Sequence, residues 1–150
     1  MREINLFSGG KAAQILAEIC KQSQTAAMWS AEDFNTEAAQ KTSRIFIISE
    51  SQTTAKTILG FCAARFAFET AEITNFAISP QAQRRHLGAE LFTHTLNFLK
   101  AQGVKEITLE VSSANIAARE FYKKFKFTCV NTRKKFYNMD VDALLLKLNL

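Results

Sequence analysis

Proline is almost absent from this 150-residue chain, and the single one, Pro80, falls where an apolar run ends and so marks the close of a strand. Cysteine is scarce too. Cys20, Cys62 and Cys129 are widely separated and form no C-x-x-C pair, which argues against zinc and redox motifs and leaves structural thiols of a reducing compartment. The two histidines, His86 and His94, lie two helical turns apart with no further ligands nearby, so no metal is expected. No run is long and apolar enough to cross a membrane, and Met1-Arg2-Glu3-Ile4 lacks the apolar core of a signal peptide. The expectation is a soluble, cytoplasmic protein with no membrane partner. Internal repeats and dividing linkers are missing as well. With 47% hydrophobic and 22% charged residues the composition is ordinary for a globular protein. Residues 1–150 are therefore expected to form one domain around one core.

What is present reads as strands and helices in alternation. Arg2 to Phe7 is a strand, Ser8-Gly9-Gly10 a break, and Lys11 to Gln22 a helix with Ala13, Leu16, Ala17 and Cys20 inward. A short helix starts near Ser30, where Ser30-Ala31-Glu32-Asp33 has the form of a capping box, and Trp29 lies in the loop between the two helices. Arg44 to Ser49, Ile58 to Phe68 and Glu72 to Ser79 read as successive strands joined by polar turns. Phe127 to Asn131 and Tyr137 to Leu148 add two more, since Leu144, Leu146 and Leu148 alternate with Leu145 and Lys147. The predicted fold is α/β (α+β), a mixed sheet of about seven strands with helices on both faces.

The stretch from Phe76 to Tyr122 carries the chemistry. Strand, helix and strand in so short a span imply a crossover between parallel neighbours, with the first turn feeding a helix N-terminus. The unpartnered amides there and the helix dipole make an anion site, so Arg84, Arg85 and the amides of His86, Leu87, Gly88 and Ala89 are positioned to cradle a pyrophosphate. The helix has an apolar stripe of Leu87, Leu91, Phe92, Leu96, Phe98 and Leu99, and Gly103 stops it. In the next strand, Lys105 to Val111, Ile107, Leu109 and Val111 share one face while Glu110 leaves by the other, toward a cleft or water. Asn115, Ala118 and Tyr122 then fall on one face of a further helix. The charge is lopsided in the same direction. Residues 1–80 hold seven Lys and Arg against eight Asp and Glu, net −1, whereas residues 81–150 hold twelve against six, net +6. Lys123, Lys124 and Lys126 serve either an anionic ligand or plain solubility; for Arg133, Lys134 and Lys135 contact with RNA or an acidic surface is a third option.

The runs Asn75-Phe76-Ala77-Ile78-Ser79-Pro80, Gln83-Arg84-Arg85-His86-Leu87-Gly88, Leu109-Glu110-Val111, Asn115-Ile116-Ala117-Ala118 and Phe121-Tyr122 together resemble the acetyl-CoA-binding core of the GCN5-related N-acetyltransferases (GNAT). Trp29-Ser30 with Phe34, Arg133-Lys134-Lys135-Phe136-Tyr137 and Asp142-Ala143-Leu144 extend the resemblance over nearly the whole chain, toward the branch that acetylates the N-terminal alanine of a ribosomal protein. The combination is far more specific than the turn alone. Two positions depart from the family pattern. His86 stands at the first glycine of the turn, where a side chain at positive φ costs about 1–2 kcal/mol, although histidine tolerates that region better than most residues. Lys126 precedes Phe127 where the family favours glycine, so strain is expected at that helix end.

The resemblance implies an acetyl-CoA-dependent N-acetyltransferase without a metal. It implies Glu110 as the base, directly or through water, and Tyr122 as the acid that protonates the departing thiolate, the two flanking the sulfur end of the donor. It further implies that the main chain of Phe76, Ala77 and Ile78 holds the pantetheine arm with help from Asn115, whose alternative role is only to cap a helix. Trp29, Phe136 and Tyr137 either line a groove for a peptide N-terminus or are packing aromatics. The expected partner is the N-terminus of a ribosomal protein, with no direct nucleic-acid binding required. A small-molecule amine acetyltransferase and a degenerate CoA-binding module are the rival readings.

Overall fold

Alternating apolar residues give the central strands two buried faces. In β2 (Ser43–Gln52), Ile45 and Ile47 turn to one side and Phe46 and Ile48 to the other, and all four are buried. A computed structural model of the chain describes residues 1–23, 26–137 and 141–150, with the main chain alone for Lys135, Phe136 and Tyr137. Strands β1 (Arg2–Leu6), β2, β3 (Ala55–Ala67), β4 (Thr70–Ile78), β5 (Glu106–Ser112), β6 (Thr128–Tyr137) and β7 (Val141–Asn149) form one seven-stranded sheet in the order β1-β2-β3-β4-β5-β7-β6. β4 and β5 pair in parallel; every other pairing is antiparallel. The mixed sheet read from the sequence is therefore present.

Helices α1 (Ala12–Gln22) and α2 (Ala31–Ala38) cover one face, burying Leu16, Cys20 and Phe34 against Ile45, Ile47 and Phe61. On the other face lie α3 (Leu87–Ala101) and α4 (Ile116–Lys124), where Leu87, Leu91, Phe92, Leu99 and Tyr122 pack on Phe46, Ile48, Ile107 and Leu109. The capping box at α2 is formed: Ser30 Oγ accepts from Asp33 N at 3.1 Å, and Asp33 Oδ2 accepts from Ser30 N at 2.8 Å. Glu37 of α2 is 6% exposed and accepts two 2.6 Å bonds from Arg65 of β3, which hold its carboxyl below the usual carboxylate range.

The strand ends differ from the sequence reading. β2 runs on to Gln52 and β3 begins at Ala55, so Glu50–Gln52 and Ala55–Thr57 belong to a hairpin. Apart from Ala55 these residues are polar, and most are exposed; main-chain pairing holds them, and a hydrophobic period cannot reveal it. Thr53 (φ 52°) and Phe68 (φ 55°) take left-handed conformations in the two hairpin turns, a place where glycine or asparagine is the usual signal. Tyr137 ends β6 rather than opening the last strand, and β7 folds back between β5 and β6.

One irregularity positions the site. Ala63 of β3 faces Asn75 and Ala64 faces Ile73, so Thr74 is an extra residue in β4. The bulge resets the alternation: Ala71 and Ile73, then Phe76 and Ile78, all turn to the α3 face, while Asn75 and Ala77 turn to the α1 face.

Candidate active site

β4 and β5 pair at three positions, Thr70, Ala71 and Glu72 with Glu106, Ile107 and Thr108, and beyond them the strands part. From the bulge to Ile78, the edge of β4 turned toward β5 has no strand partner among the described residues. On the opposite side of the gap Glu110 is an exposed residue although its side chain is only 29% exposed, so much of the open surface there is main chain. A sheet interior with its ladder left open exposes donors and acceptors that an extended, amide-bearing ligand can pair with.

At the C-terminal end of β4 the chain passes through a short 3₁₀ turn, Pro80–Ala82, into α3. Gln83 Nε2 donates to Ile78 O at 3.2 Å and closes that turn. Arg84 (φ 66°) and His86 (φ 61°) are both left-handed, and alternating φ signs next to a helix start make a concave nest of main-chain amides. The side chain at the family's glycine position thus sits in the conformation that glycine would take. Arg85 donates to Glu50 of β2 at 2.9 Å, while Arg84 has no ion-pair partner among the described residues. Gly88 has ordinary φ, and a Cβ there would meet Ile78, Phe76 and Phe121 at 3.6–3.7 Å, ordinary contact distances. Its absence of a side chain therefore leaves space and is not a conformational need.

Tyr122 lies in the aromatic hub around Phe92, with ring centroids 5.6 Å from Phe92, 5.3 Å from Phe121 and 5.7 Å from Phe127. The residue is 9% exposed, and its hydroxyl has no hydrogen-bond partner among the described residues yet is not fully sealed from solvent. Burial raises the phenol well above its ordinary pKa, and the Cys62 thiol, opposite Phe76 in the β3–β4 ladder, adds to this. Glu110 leaves β5 between the buried Leu109 and Val111, hence on the opposite face of the sheet from Tyr122. The two side chains lie on opposite faces of the sheet and do not point into one enclosed cavity. Two surface concavities of about 440 and 470 Å³ lie elsewhere: one beside β1 and α1, the other at the closed end of the β4–β5 pair, and neither is lined by Glu110 or Tyr122.

Asn115 is the N-cap of α4, its Oδ1 accepting from Ala118 N at 3.1 Å, so the capping role is present and the amide nitrogen stays available to a ligand. Ala118, Phe121, Tyr122 and Phe125 form the inward face of α4. Trp29 packs edge-on against Phe34 at 5.2 Å, at the margin of the α1–α2 core. Its loop is pinned by a residue that sequence reasoning passed over: Asn75, 4% exposed, accepts from Ala27 N and donates to Ala27 O, both at 3.1 Å. An amide directly before the apolar run Phe76-Ala77-Ile78 was the available signal. The side chains of Phe136 and Tyr137 lie outside the described residues. From β6, Arg133 Nη2 lies 3.3 Å from Glu110 Oε1.

The model of the acetyltransferase (GNAT) family matches residues 12–127. The chain belongs to this GNAT family. A Bacillus subtilis (strain 168) relative, provisionally named a ribosomal protein bS18 alanine N-acetyltransferase, is 32% identical over 90 residues, 59% of this chain and 60% of that protein. The ribosomal protein bS18 alanine N-acetyltransferase of Salmonella typhimurium (strain LT2) is 32% identical over 77 residues, 51% of this chain and 52% of its own length. Each match thus spans only about half to three fifths of the relative. The fold likeness is wider: the crystal structure of the Escherichia coli ribosomal-protein-S18-alanine N-acetyltransferase superposes with a TM-score of 0.86 over 99% of this chain and 94% of that one, at 24% identity.

The residues fit the acetyl-CoA of a GNAT protein. The open edge of β4 suits an amide-bearing arm, and the left-handed turn with Arg84 suits a pyrophosphate. The nearly buried Tyr122 hydroxyl, unpaired among the described residues, suits a ligand atom.

Proposed function

We propose that this protein transfers an acetyl group from acetyl-CoA to the α-amino group of a protein N-terminus, the N-terminal alanine of a small-subunit ribosomal protein being the foremost acceptor. The carrying observation is the gap between β4 and β5, bordered by the carboxylate-bearing Glu110, with the Tyr122 phenol, unpaired among the described residues, on the other face of the sheet. The GNAT match supports the reaction class, and the relatives' names support the acceptor. One domain acting in the cytoplasm, with no nucleic acid needed, is the simplest setting.

Acetyl-CoA supplies an activated acetyl thioester when bound. The main chain of Phe76, Ala77 and Ile78 would hold the arm, Asn115 would add a hydrogen bond, and Arg84, Arg85 and the amides of His86, Leu87, Gly88 and Ala89 would hold the phosphates. A terminal α-amine, with a pKa of about 7.7–8.0, is largely protonated at pH 7. Glu110, directly or through water, takes the proton that the amine must lose. Tyr122, which burial keeps protonated, donates its proton to the departing sulfur and is reprotonated from solvent. Trp29 stands on the α1–α2 side of the sheet, where Glu110 also points, and with Phe136 and Tyr137 would border the acceptor.

The test is a panel of short N-terminal peptides and free amines incubated with acetyl-CoA and read by CoA release. Rapid release with an Ala-Arg peptide supports the reading. Release with a polyamine or sugar amine alone replaces the acceptor, and no acetyl-CoA binding by calorimetry removes the enzyme altogether.

A further inference from the structure

Among the described residues, the proposed base has an ion-pair partner from another strand. Arg133 of β6 sits opposite Ala143 of β7, which faces Ser112 of β5, so its side chain crosses β7 to reach Glu110. Ala143 is 1% exposed, the arginine side chain 57% and the glutamate 29%, which puts the 3.3 Å pair at the mouth of the acceptor side.

This placement bears on a difficulty of the reaction. A lone carboxylate beside the acceptor nitrogen stabilises the ammonium form and raises the pKa of the very group it must deprotonate. A cation at the same spot acts in the opposite sense. We propose that Arg133 sets the ionisation of the bound acceptor: paired with Glu110, it cancels the carboxylate's field at the acceptor nitrogen, so the amine is held as the free base near neutral pH. Glu110 then receives the proton without trapping the cation. This rests on Glu110 being the proton acceptor, and it holds for a peptide or a small amine alike.

Among the described residues, charged groups neighbouring this part of the sheet are engaged with one another. Lys147 of β7 pairs with Glu106 of β5 at 2.9 Å and Arg65 of β3 with Glu37 at 2.6 Å, with Glu72 of β4 in its field; Lys134 pairs at 3.4 Å with Asp142, which shares the alternation of Leu144 and Leu146 on the other face. On the α1–α2 loop the neighbouring aromatic Trp29 carries no charge. Arg133 is therefore, among the described residues, the cation whose removal changes the balance at Glu110 most directly.

The experiment is the pH profile of kcat for the wild-type chain, Arg133→Gln, Arg133→Lys and Glu110→Gln, using whichever amine the panel identifies, with acetyl-CoA affinity by calorimetry and thermal melts as controls. Arg133→Gln should move the ascending limb to higher pH by about 1 unit, the lower end of the effect of a charge within 4–6 Å. With a wild-type limb near pH 7, that means about fivefold slower turnover at pH 7, recovered by about pH 9, with acetyl-CoA affinity unchanged and Arg133→Lys restoring the limb. An unmoved limb in Arg133→Gln, or an equal loss at every pH, overturns the proposal. If Glu110→Gln turns over normally, the base assignment falls and takes this inference with it. If Glu110→Gln is inactive while Arg133→Gln keeps the wild-type profile, the inference about Arg133 alone fails.

Discussion

Tyr122 is packed like a core aromatic but carries a hydroxyl that the core does not use. Tyr122→Phe keeps the ring contacts, so its melting temperature at pH 7 should stay within a few degrees while kcat falls by about 10²-fold, the lower range for losing a general acid, with acetyl-CoA affinity unchanged in calorimetry. The raised phenol pKa also has a signed consequence for stability. Its contribution is intact below about pH 10, where the unfolded tyrosine begins to ionise, and is lost as pH climbs toward the folded value, so melts between pH 9 and 11 should decline less in Tyr122→Phe. The thiols give a second check. Cys20 and Cys62 are buried, Cys62 with its thiol pushed up to about 12 by burial, whereas Cys129 is exposed. A thiol reagent at pH 8 should modify one cysteine quickly in the native chain and all three in denaturant. Much at this level could be read beforehand: the alternation around Glu110 and the helical spacing of Asn115, Ala118 and Tyr122 follow from period alone. What stayed hidden was pairing over distance, such as Arg133 on Glu110 or Asn75 on Ala27, because no local rule links residues so far apart in the chain.

The bend in β4 does for the strands what no single side chain could. Apolar positions 71, 73, 76 and 78 break their alternation between Ile73 and Phe76, and the structure places the extra residue, Thr74, at that break. The clue was in the sequence; an uninterrupted period-2 reading of Glu72 to Ser79 passed over it. Gly60 keeps β3 against the bent strand, since a Cβ there would lie 2.7 Å from Ala77 O and 2.5 Å from Ile78 Cδ1. Gly60→Ala should cost about 1–3 kcal/mol in urea unfolding and weaken acetyl-CoA binding as well. Gly88→Ala, with ordinary contact distances, should leave unfolding unchanged or slightly improved, which makes any loss of acetyl-CoA affinity a statement about the ligand. On the opposite face the Glu37–Arg65 pair ties α2 to β3. Because the folded pKa of Glu37 is lowered, this tie is present above the unfolded value near 4.5 and fades as pH drops through the folded one. Glu37→Gln should flatten the decline in melting temperature between pH 5 and 3.

Across the molecule, two cores sandwich a sheet whose middle is pried open, and the positive half of the chain supplies the turn that feeds α3. The net +6 of residues 81–150 predicts that acetyl-CoA affinity falls as salt is raised from 50 to 500 mM. Layering and strand number were legible because hydrophobic periods report which faces are buried. The insertion of β7 between β5 and β6 was not, since two antiparallel strands far along the chain satisfy the same periods in either order. Everything proposed here depends on the donor's arm occupying the gap between β4 and β5. Amide hydrogen exchange with and without acetyl-CoA tests that directly. The expected result is new protection in Ile73 to Ile78 and in His86 to Ala89, with β1 and β2 unchanged; acetyl-CoA that binds without protecting β4 beyond the bulge would contradict it.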